Sequence, residues 1–473
     1  MEICTLDGDR IDLDPKTVDA FRARLRGPVL IPGDAAYDDA RAIWNGMIAR
    51  RPAMIARCLG TSDVIAGVTF AREHGLSLSI KSGGHNIAGL ALSDNGLTLD
   101  LSSMRGVWVD PVRQVATAQA GCQFGDVDRE TQLHGLAAVL GFVSMTGVAG
   151  LTVGGGFGYL TRRFGWTCDT VRSMDVVTAD GRLVHATSSE HADLFWALRG
   201  GGGNCGVVVN FEYELHPVGP EILGGAVAWP IEQAHDVIDH YRRLTADAPP
   251  ELAVVFAVRK APPAPWLAPS IHGKAVVALF VCYTGDVATG ERLLAPTKAL
   301  GHPVGDVLQR RSYVSQQSLL DATQPRGRRY YWKSEYMRTP PADYFEAVCR
   351  HAEGLPSPHA ALLTFPLAGD LNTHPADYSP VGNRDAEAVF NVAGAWDRPE
   401  DDTVNMVWVR ESWQDLRRFS TGGTYVNFLT EDDGAERTKA AYGPHYARLA
   451  EIKTRWDPTN LFRANKNIAP AGV

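Results

Sequence analysis

The sequence lacks the features that mark several specialised classes of protein. It has no uninterrupted apolar stretch long enough to span a bilayer. It has no dense run of Lys or Arg, and its 46 basic and 54 acidic residues give a formal net charge of -8. A nucleic-acid surface needs clustered cations to neutralise phosphates, so neither nucleic acid nor membrane is an expected partner. Residues 1–7 contain no basic segment followed by an apolar one, so no secretory signal is expected. The seven cysteines (Cys4, Cys58, Cys122, Cys168, Cys205, Cys282 and Cys349) are odd in number and include no CxxC pair. That argues against a disulfide frame or a zinc site, and for reduced, packed thiols in a cytoplasmic protein. No metal site and no internal repeat is evident.

What the chain does have is ordinary globular composition, 45% hydrophobic and 21% charged over 473 residues, enough for two or three domains. It also has three glycine-rich stretches, each beside strand-like sequence. The first is Lys81-Ser82-Gly83-Gly84-His85-Asn86, after the alternating run at 76–80. Glycine has no Cβ and lets bare backbone approach a ligand, and the loop amides could face an anion such as a pyrophosphate. His85 stands at the rim with a nucleophilic ring nitrogen. A Gly-Gly turn beside a histidine is by itself an ordinary turn. It gains weight from the second stretch, Gly147-Val148-Ala149-Gly150 through Gly154-Gly155-Gly156-Phe157-Gly158, and from the third, Gly200 to Gly206-Val207-Val208. Three such loops point to one extended ligand with several polar parts. The GxGxxG spacing of a nicotinamide dinucleotide site, with an acid some way on, is not met by Gly154-Gly155-Gly156.

In chain order, residues up to about 40 read as a short helical lead-in. Val64, Ile65, Val68 and Ala71 repeat at helical spacing after Thr61-Ser62-Asp63, which offers N-cap chemistry. Strands are expected at 97–101, 107–109 and 115–118, then a helix at 124–134. Ala179-Asp180-Gly181 joins strands at 174–178 and 182–186 in a hairpin. An alternating strand at 207–215 precedes Pro217 and Pro220. The middle region alternates strands (224–229, 252–258, 274–283, 330–336, 360–365, 388–395) with helices (231–244, 289–300, 342–353, 403–418). This pattern predicts an antiparallel sheet with helices on one face. Tyr425-Val426-Asn427-Phe428 reads as a strand, and 437–456 as a helix interrupted at Gly443-Pro444.

At this point the chain resembles the berberine-bridge-enzyme-like flavoproteins of the p-cresol methylhydroxylase and vanillyl-alcohol oxidase superfamily. The resemblance covers nearly the whole chain. It rests on Ser82-Gly83-Gly84-His85-Asn86, Gly154-Gly155-Gly156-Phe157-Gly158, Trp196-Ala197-Leu198-Arg199-Gly200-Gly201-Gly202, and the ending Tyr446-Ala447-Arg448-Leu449 with Ile452-Lys453, Asp457-Pro458 and Asn467-Ile468. It implies an α+β fold: a two-part FAD-binding domain of the p-cresol methylhydroxylase type plus an antiparallel-sheet substrate domain. The expected division is 1–218 (core about 47–218), 219–420, and a segment at 421–473 that returns to the first domain. The implied cofactor is FAD, joined covalently to His85; the other reading of His85 is an unreactive loop histidine. Lys81, Ser82, Gly83, Gly84, Asn86, Thr146, Gly147, Gly150, Gly154, Gly155, Gly156, Gly158, Gly206, Val208, Tyr425, Asn427, Asn465 and Asn467 are the further expected cofactor contacts. Many relatives carry a second link through a cysteine, but Val143 holds that place here, so a single link is expected. Thr146 falls where relatives adjust oxygen access.

In this family the substrate gives a hydride to the flavin while a side chain removes a proton. In several relatives the base is a tyrosine where this chain has Phe428, which cannot accept one. The alternative set is Tyr331, Lys333 and Glu335, which share a face if 330–336 is a strand. Their spacing is similar to the Lys and acid pair of hydroxynicotine oxidase, a relative that oxidises an amine. Lys333 and Glu335 are equally readable as a solvated ion pair on a sheet surface. The expectation is an FAD-dependent oxidase of a small organic alcohol, amine or phenol, using molecular oxygen, as a monomer or homodimer. The alternatives are a flavin dehydrogenase or oxygenase, or a flavoprotein that sequesters a ligand without turnover, which Phe428 alone favours.

Overall fold

The computed structural model describes residues 1–472, without the side chains at 370 and 372. Three larger sheets carry the chain. The first has the strand order Val29–Leu30, Met54–Arg57, Leu97–Asp100, Leu78–Lys81, with the last three strands parallel. The helix Thr61–Glu73 covers it and buries Val64, Val68 and Ala71, three of the four positions expected from their spacing, while Ile65 is half-buried. The second sheet is antiparallel, in the order Leu183–Thr187, Val171–Val177, Val207–Glu214, Val115–Gln119, Val107–Asp110. Its first two strands form the expected hairpin, with Gly181 at φ +84° in the left-handed region that the turn requires.

The third sheet has eight strands, all pairs antiparallel. Ala275–Tyr283, Leu252–Lys260, Ala361–Pro366, Ala388–Trp396 and Arg329–Met337 lie side by side in that order, the last at the sheet edge. Alternation sorts their side chains. Leu252, Val254, Phe256 and Val258 enter a core with Tyr241, Phe345, Val348 and Val409 from the helices Ala234–Ala246, Ala342–Glu353 and Asp402–Leu416. Val255, Ala257, Ala278 and Phe280 enter another core, which includes Phe157, Trp166 and Tyr425 from outside the sheet. So helices cover one face, and the other faces the glycine-rich first part of the chain. Phe345 is fully buried; truncation to alanine costs about 3–5 kcal/mol.

Some expectations are corrected. Residues 425–428 are not a strand: Val426–Phe428 is a single 3-10 turn, because Tyr425 and Asn427 turn inward to bond the triple-glycine segment instead of a neighbouring strand. The lead-in carries two helices, Pro15–Arg24 and Tyr37–Arg41, and an unanticipated strand pair, Glu2–Cys4 with Arg10–Asp12. The last helical region breaks where Pro444 predicts, into Ala435–Tyr442 and Tyr446–Trp456 around a 3-10 turn. The seven cysteines are free thiols. Among the described residues no helix is long and apolar enough to cross a membrane, and no cluster of His, Cys, Asp and Glu could hold a metal.

Candidate active site

A cavity runs between the first two sheets and the bare face of the third. The glycine loops form one wall. Gly83 and Gly147 meet backbone to backbone: a Cβ on Gly83 would stand 2.5 Å from the Gly147 Cα. Only glycine allows that approach, and it fuses the first and second loops into one surface. Ser82 Oγ donates to the Ala120 carbonyl, and Gly202 N–H donates to the Val153 carbonyl at 2.7 Å, joining the third loop. Ser82, Gly83, Gly84, His85, Asn86, Thr146, Gly147, Gly150, Gly206, Val208, Tyr425, Asn427 and Asn465 all line the cavity.

His85 is held with its ring stacked on Trp44, centroids 4.5 Å apart. Trp44 in turn stacks on Tyr330 at 3.7 Å. Burial pushes the His85 pKa down to about 3, so the ring is neutral at ordinary pH. Nε2 is enclosed and has no hydrogen-bond partner, which leaves Nδ1, also without a partner among the described residues, as the nitrogen that meets the cavity. A neutral imidazole presenting a free lone pair is a nucleophile, and these residues fit a covalently held flavin.

Other expected contacts stand behind the wall and not on it. Lys81 is buried and donates to the Ala40 carbonyl at 2.7 Å and to Asp100 at 3.2 Å, so it anchors the end of its strand. Gly154, Gly155, Gly156 and Gly158 face protein: added Cβ atoms would strike Asn427, Val381, Thr167 and the Leu140 carbonyl. They form the seat for the turn at 425–428, where Gly156 N–H donates to Tyr425 Oη at 3.0 Å and Asn427 Nδ2 donates to the Leu151 carbonyl at 3.2 Å. Asn467 also lies off the wall, with its Oδ1 enclosed.

The expected catalytic set is displaced as a group. Tyr331, Lys333 and Glu335 do share one face of their strand, but it is the face toward the helices, away from the cavity. Lys333 Nζ lies 3.0 Å from Asp432 and 2.9 Å from Asp433. Tyr331 Oη donates to Asp432 at 2.6 Å. Glu335 accepts from Trp413 Nε1 and Ser420 Oγ, each at 2.9 Å, and from Arg437 at 2.5 Å. Desolvation opposes ionisation of Asp432, but its hydrogen bonds and Lys333 win and hold its carboxyl well below the usual range. This is an ion-pair network that fastens the helix 402–416 and the tail onto the sheet. Period-two alternation correctly grouped the three residues but carries no information about which face turns inward.

The neighbours Trp332 and Asn391, and Arg259 and His359 beyond them, are on the cavity wall instead. Each was missed, yet two had a signal: Asn391 is a lone amide inside an apolar strand, and Arg259 is the first of the two cations that end one, Arg259-Lys260. The Asn391 amide is buried and has no protein partner at either atom among the described residues. Aromatic rings (Phe142, Phe157, Phe280, Phe365, Phe428) make up much of the remaining wall, and among the described residues no aspartate or glutamate is on it. Tyr425 Oη already accepts from Gly156 N–H and Asn427 Nδ2, and burial pushes its pKa up.

This combination of fold and cavity defines an FAD-linked oxidoreductase. Residues 52–187 match the model of the FAD binding domain, and residues 424–469 match the model described as berberine and berberine like. (R)-6-hydroxynicotine oxidase of Paenarthrobacter nicotinovorans is 31% identical over 462 residues, covering 95% of this chain and 98% of its own. An FAD-linked oxidoreductase of Dictyostelium discoideum is 29% identical over 457 residues, with coverage of 96% and 97%. Among solved structures, 6-hydroxy-D-nicotine oxidase of Arthrobacter nicotinovorans matches with a TM-score of 0.84 at 29% identity, covering 94% of this chain and 98% of that one. A chitooligosaccharide oxidase shares the fold at a TM-score of 0.81 and 22% identity, over 96% of this chain and 100% of that one. The chain belongs to the berberine-bridge-enzyme-like family of FAD-linked oxidases.

Proposed function

We propose that the protein is an oxidase that holds FAD by one covalent bond from His85 and oxidises a small organic alcohol, amine or phenol, with molecular oxygen as the final acceptor. The observation that carries this reading is the His85 imidazole, without a hydrogen-bond partner among the described residues, on the wall of a cavity whose glycine loops meet backbone to backbone. The bound flavin supplies the hydride acceptor. The chain supplies position. Trp44 fixes the imidazole plane, and burial keeps the ring unprotonated. With Val143 in the place of a second linking cysteine, His85 is the single anchor. The aromatic wall excludes water and packs an apolar or aromatic substrate body. The Asn391 amide, free at both atoms, offers a donor and an acceptor to orient a hydroxyl or amine. An amide cannot keep a proton, so Asn391 is a positioning group. The relatedness to hydroxynicotine oxidase supports an amine or alcohol as the oxidised group.

The test starts with the purified protein, which is expected to be yellow, with colour that stays with the chain after acid precipitation and an added flavin mass on the peptide containing His85. His85→Ala is expected to lose that mass. A panel of alcohols, amines and phenols is then screened for flavin bleaching and peroxide release. Bleaching without reoxidation in air identifies a dehydrogenase instead. Bleaching by no compound that binds tightly identifies a sequestering protein.

A further inference from the structure

Strand register puts four cavity residues in one line across the third sheet. Arg259 pairs with Ala361, Ala361 with Ala393, and Ala393 with Trp332. All four line the cavity. Two alanines between an arginine and an indole make a shallow trough with a cation at one end. Adjacent strands lie about 4.8 Å apart, so the line spans roughly 14 Å between its outer Cα atoms. One register step along, Leu363 pairs with Asn391, on the same face.

Arg259 is the unusual member. Its residue surface is 8% exposed, and its one hydrogen bond goes from Nε to the Lys260 carbonyl at 3.2 Å. Its terminal nitrogens have no partner, and no carboxylate pairs with it, among the described residues. Asp397, which neighbours His359, is engaged elsewhere: it accepts from Arg328 Nε at 2.8 Å and lies 3.0 Å from His359 Nε2. Burial and the neighbouring Arg328 push the Arg259 pKa down to about 10, so the guanidinium stays charged at neutral pH. Burial, Arg328 and Arg259 itself lower the pKa of the adjacent His359 against the pull of Asp397. A buried charge without a counter-ion is costly, and a guanidinium fork matches a carboxylate in two parallel hydrogen bonds.

We infer that Arg259 is a specificity residue, and that the substrate is a planar-ring compound bearing a carboxylate, held with its acid on the guanidinium and its ring over Ala361 and Ala393. Asn391 is then near the opposite end of a one-ring molecule, where the oxidised group lies. This inference rests on the oxidase reading for the chemistry but not for the binding.

The experiment is calorimetric titration of the purified holoprotein with benzoate and with benzamide, which is the same ring without the charge. Benzoate is expected to bind saturably and benzamide at least about 30-fold more weakly, the size of one charge-assisted pair. Arg259→Gln is expected to remove that preference and Arg259→Lys to keep part of it. Ala361→Leu, which fills the trough and leaves the guanidinium intact, is expected to weaken both ligands. Flavin content and thermal midpoint are recorded on each sample. A folded protein that binds neither ligand, or binds both equally, overturns the inference. So does Arg259→Gln that keeps the benzoate preference, or one that changes the flavin potential while keeping it, which places the guanidinium on the cofactor. Benzoate selectivity that depends on Arg259 in a preparation without flavin upholds the clamp while the oxidase reading fails. A yellow, active preparation indifferent to the carboxylate does the reverse.

Discussion

Lys453 Nζ lies 2.5 Å from Asp457 Oδ2, and neither side chain is exposed. The lysine also donates to the carbonyls of Asn204 at 2.7 Å and Phe462 at 3.1 Å. The aspartate accepts from the amides of Leu461 and Phe462, each at 2.8 Å. Asn204 Oδ1 takes the Ile468 amide at 2.9 Å. One ion pair therefore ties the third glycine loop, the last helix and the tail that carries Asn465 and Lys466 to the cavity. Burial lowers the Lys453 pKa, and Asp457 opposes the shift. Deleting one partner strands the other charge, at a cost of about 3–5 kcal/mol. Lys453→Ala is expected to lose that much in denaturant unfolding and to hold less flavin on expression. An unchanged unfolding midpoint removes the pair from this role.

Glu335→Gln separates a structural from a chemical role. The carboxylate is fully buried and faces Arg437 and, at 3.8 Å, Arg417. Losing its charge is expected to destabilise the protein by about 2–4 kcal/mol. The rate of flavin bleaching by substrate, measured well below the unfolding temperature, is expected to stay within about twofold, equivalent to less than 0.5 kcal/mol of barrier. A loss of two decades or more, about 3 kcal/mol, returns Glu335 to the reaction.

The two residue groups above show what sequence carries and what it does not. The glycine stretches were legible because Gly83 and Gly147 answer to one local demand, a close backbone approach, and no other residue meets it. The helix at 61–73 and the hairpin around Gly181 were legible for the same reason: period and turn chemistry are local. The triple glycine was legible as important but not as to what it meets, because its partner Asn427 is far along the chain. Tyr331, Lys333 and Glu335 were grouped correctly and placed on the wrong side, because both faces of that sheet are buried and alternation is then silent about direction. The trough from Arg259 to Trp332 depends on the pairing of four strands, which no single segment encodes.

Asp128 gives a pH signature. It is fully buried in the helix Phe124–Thr131, and burial pushes its pKa up to about 8. Gln317 is its neighbour and opposes the shift, but no hydrogen bond of ordinary geometry joins them. Between about pH 4 and 8 the folded state therefore holds a proton that the unfolded chain has released, so stability falls as pH rises, by up to about 1.4 kcal/mol per unit. Asp432 has the opposite sign: its lowered pKa contributes stability that is lost only as pH falls through and below the usual carboxylate range. Asp128→Asn removes the first effect and leaves the second. The thermal midpoint of the variant is expected to gain on that of the natural protein steadily from pH 5 to pH 8. A constant difference across that range shows that Asp128 is ionised in the fold.

Asn391→Leu tests the cavity face of the third sheet. The change keeps side-chain volume close to constant and removes an amide that has no protein partner, so the fold is expected to hold or gain stability. Its neighbours across the sheet, Leu363 and Ser334, tolerate an apolar contact. If the amide orients the hydroxyl or amine that is oxidised, its loss acts on the reaction and leaves the flavin bond alone. The expected result is a full complement of covalent flavin, an unshifted flavin spectrum without substrate, and bleaching slowed by about tenfold to a few hundredfold, the range of one oriented hydrogen bond. Asn391→Asp adds a carboxylate in the same place and is expected to weaken binding of an anionic substrate while sparing a neutral one. Bleaching as fast in Asn391→Leu as in the natural protein shows that the substrate lies elsewhere along the cavity, and that its reacting group is oriented from the glycine-loop side.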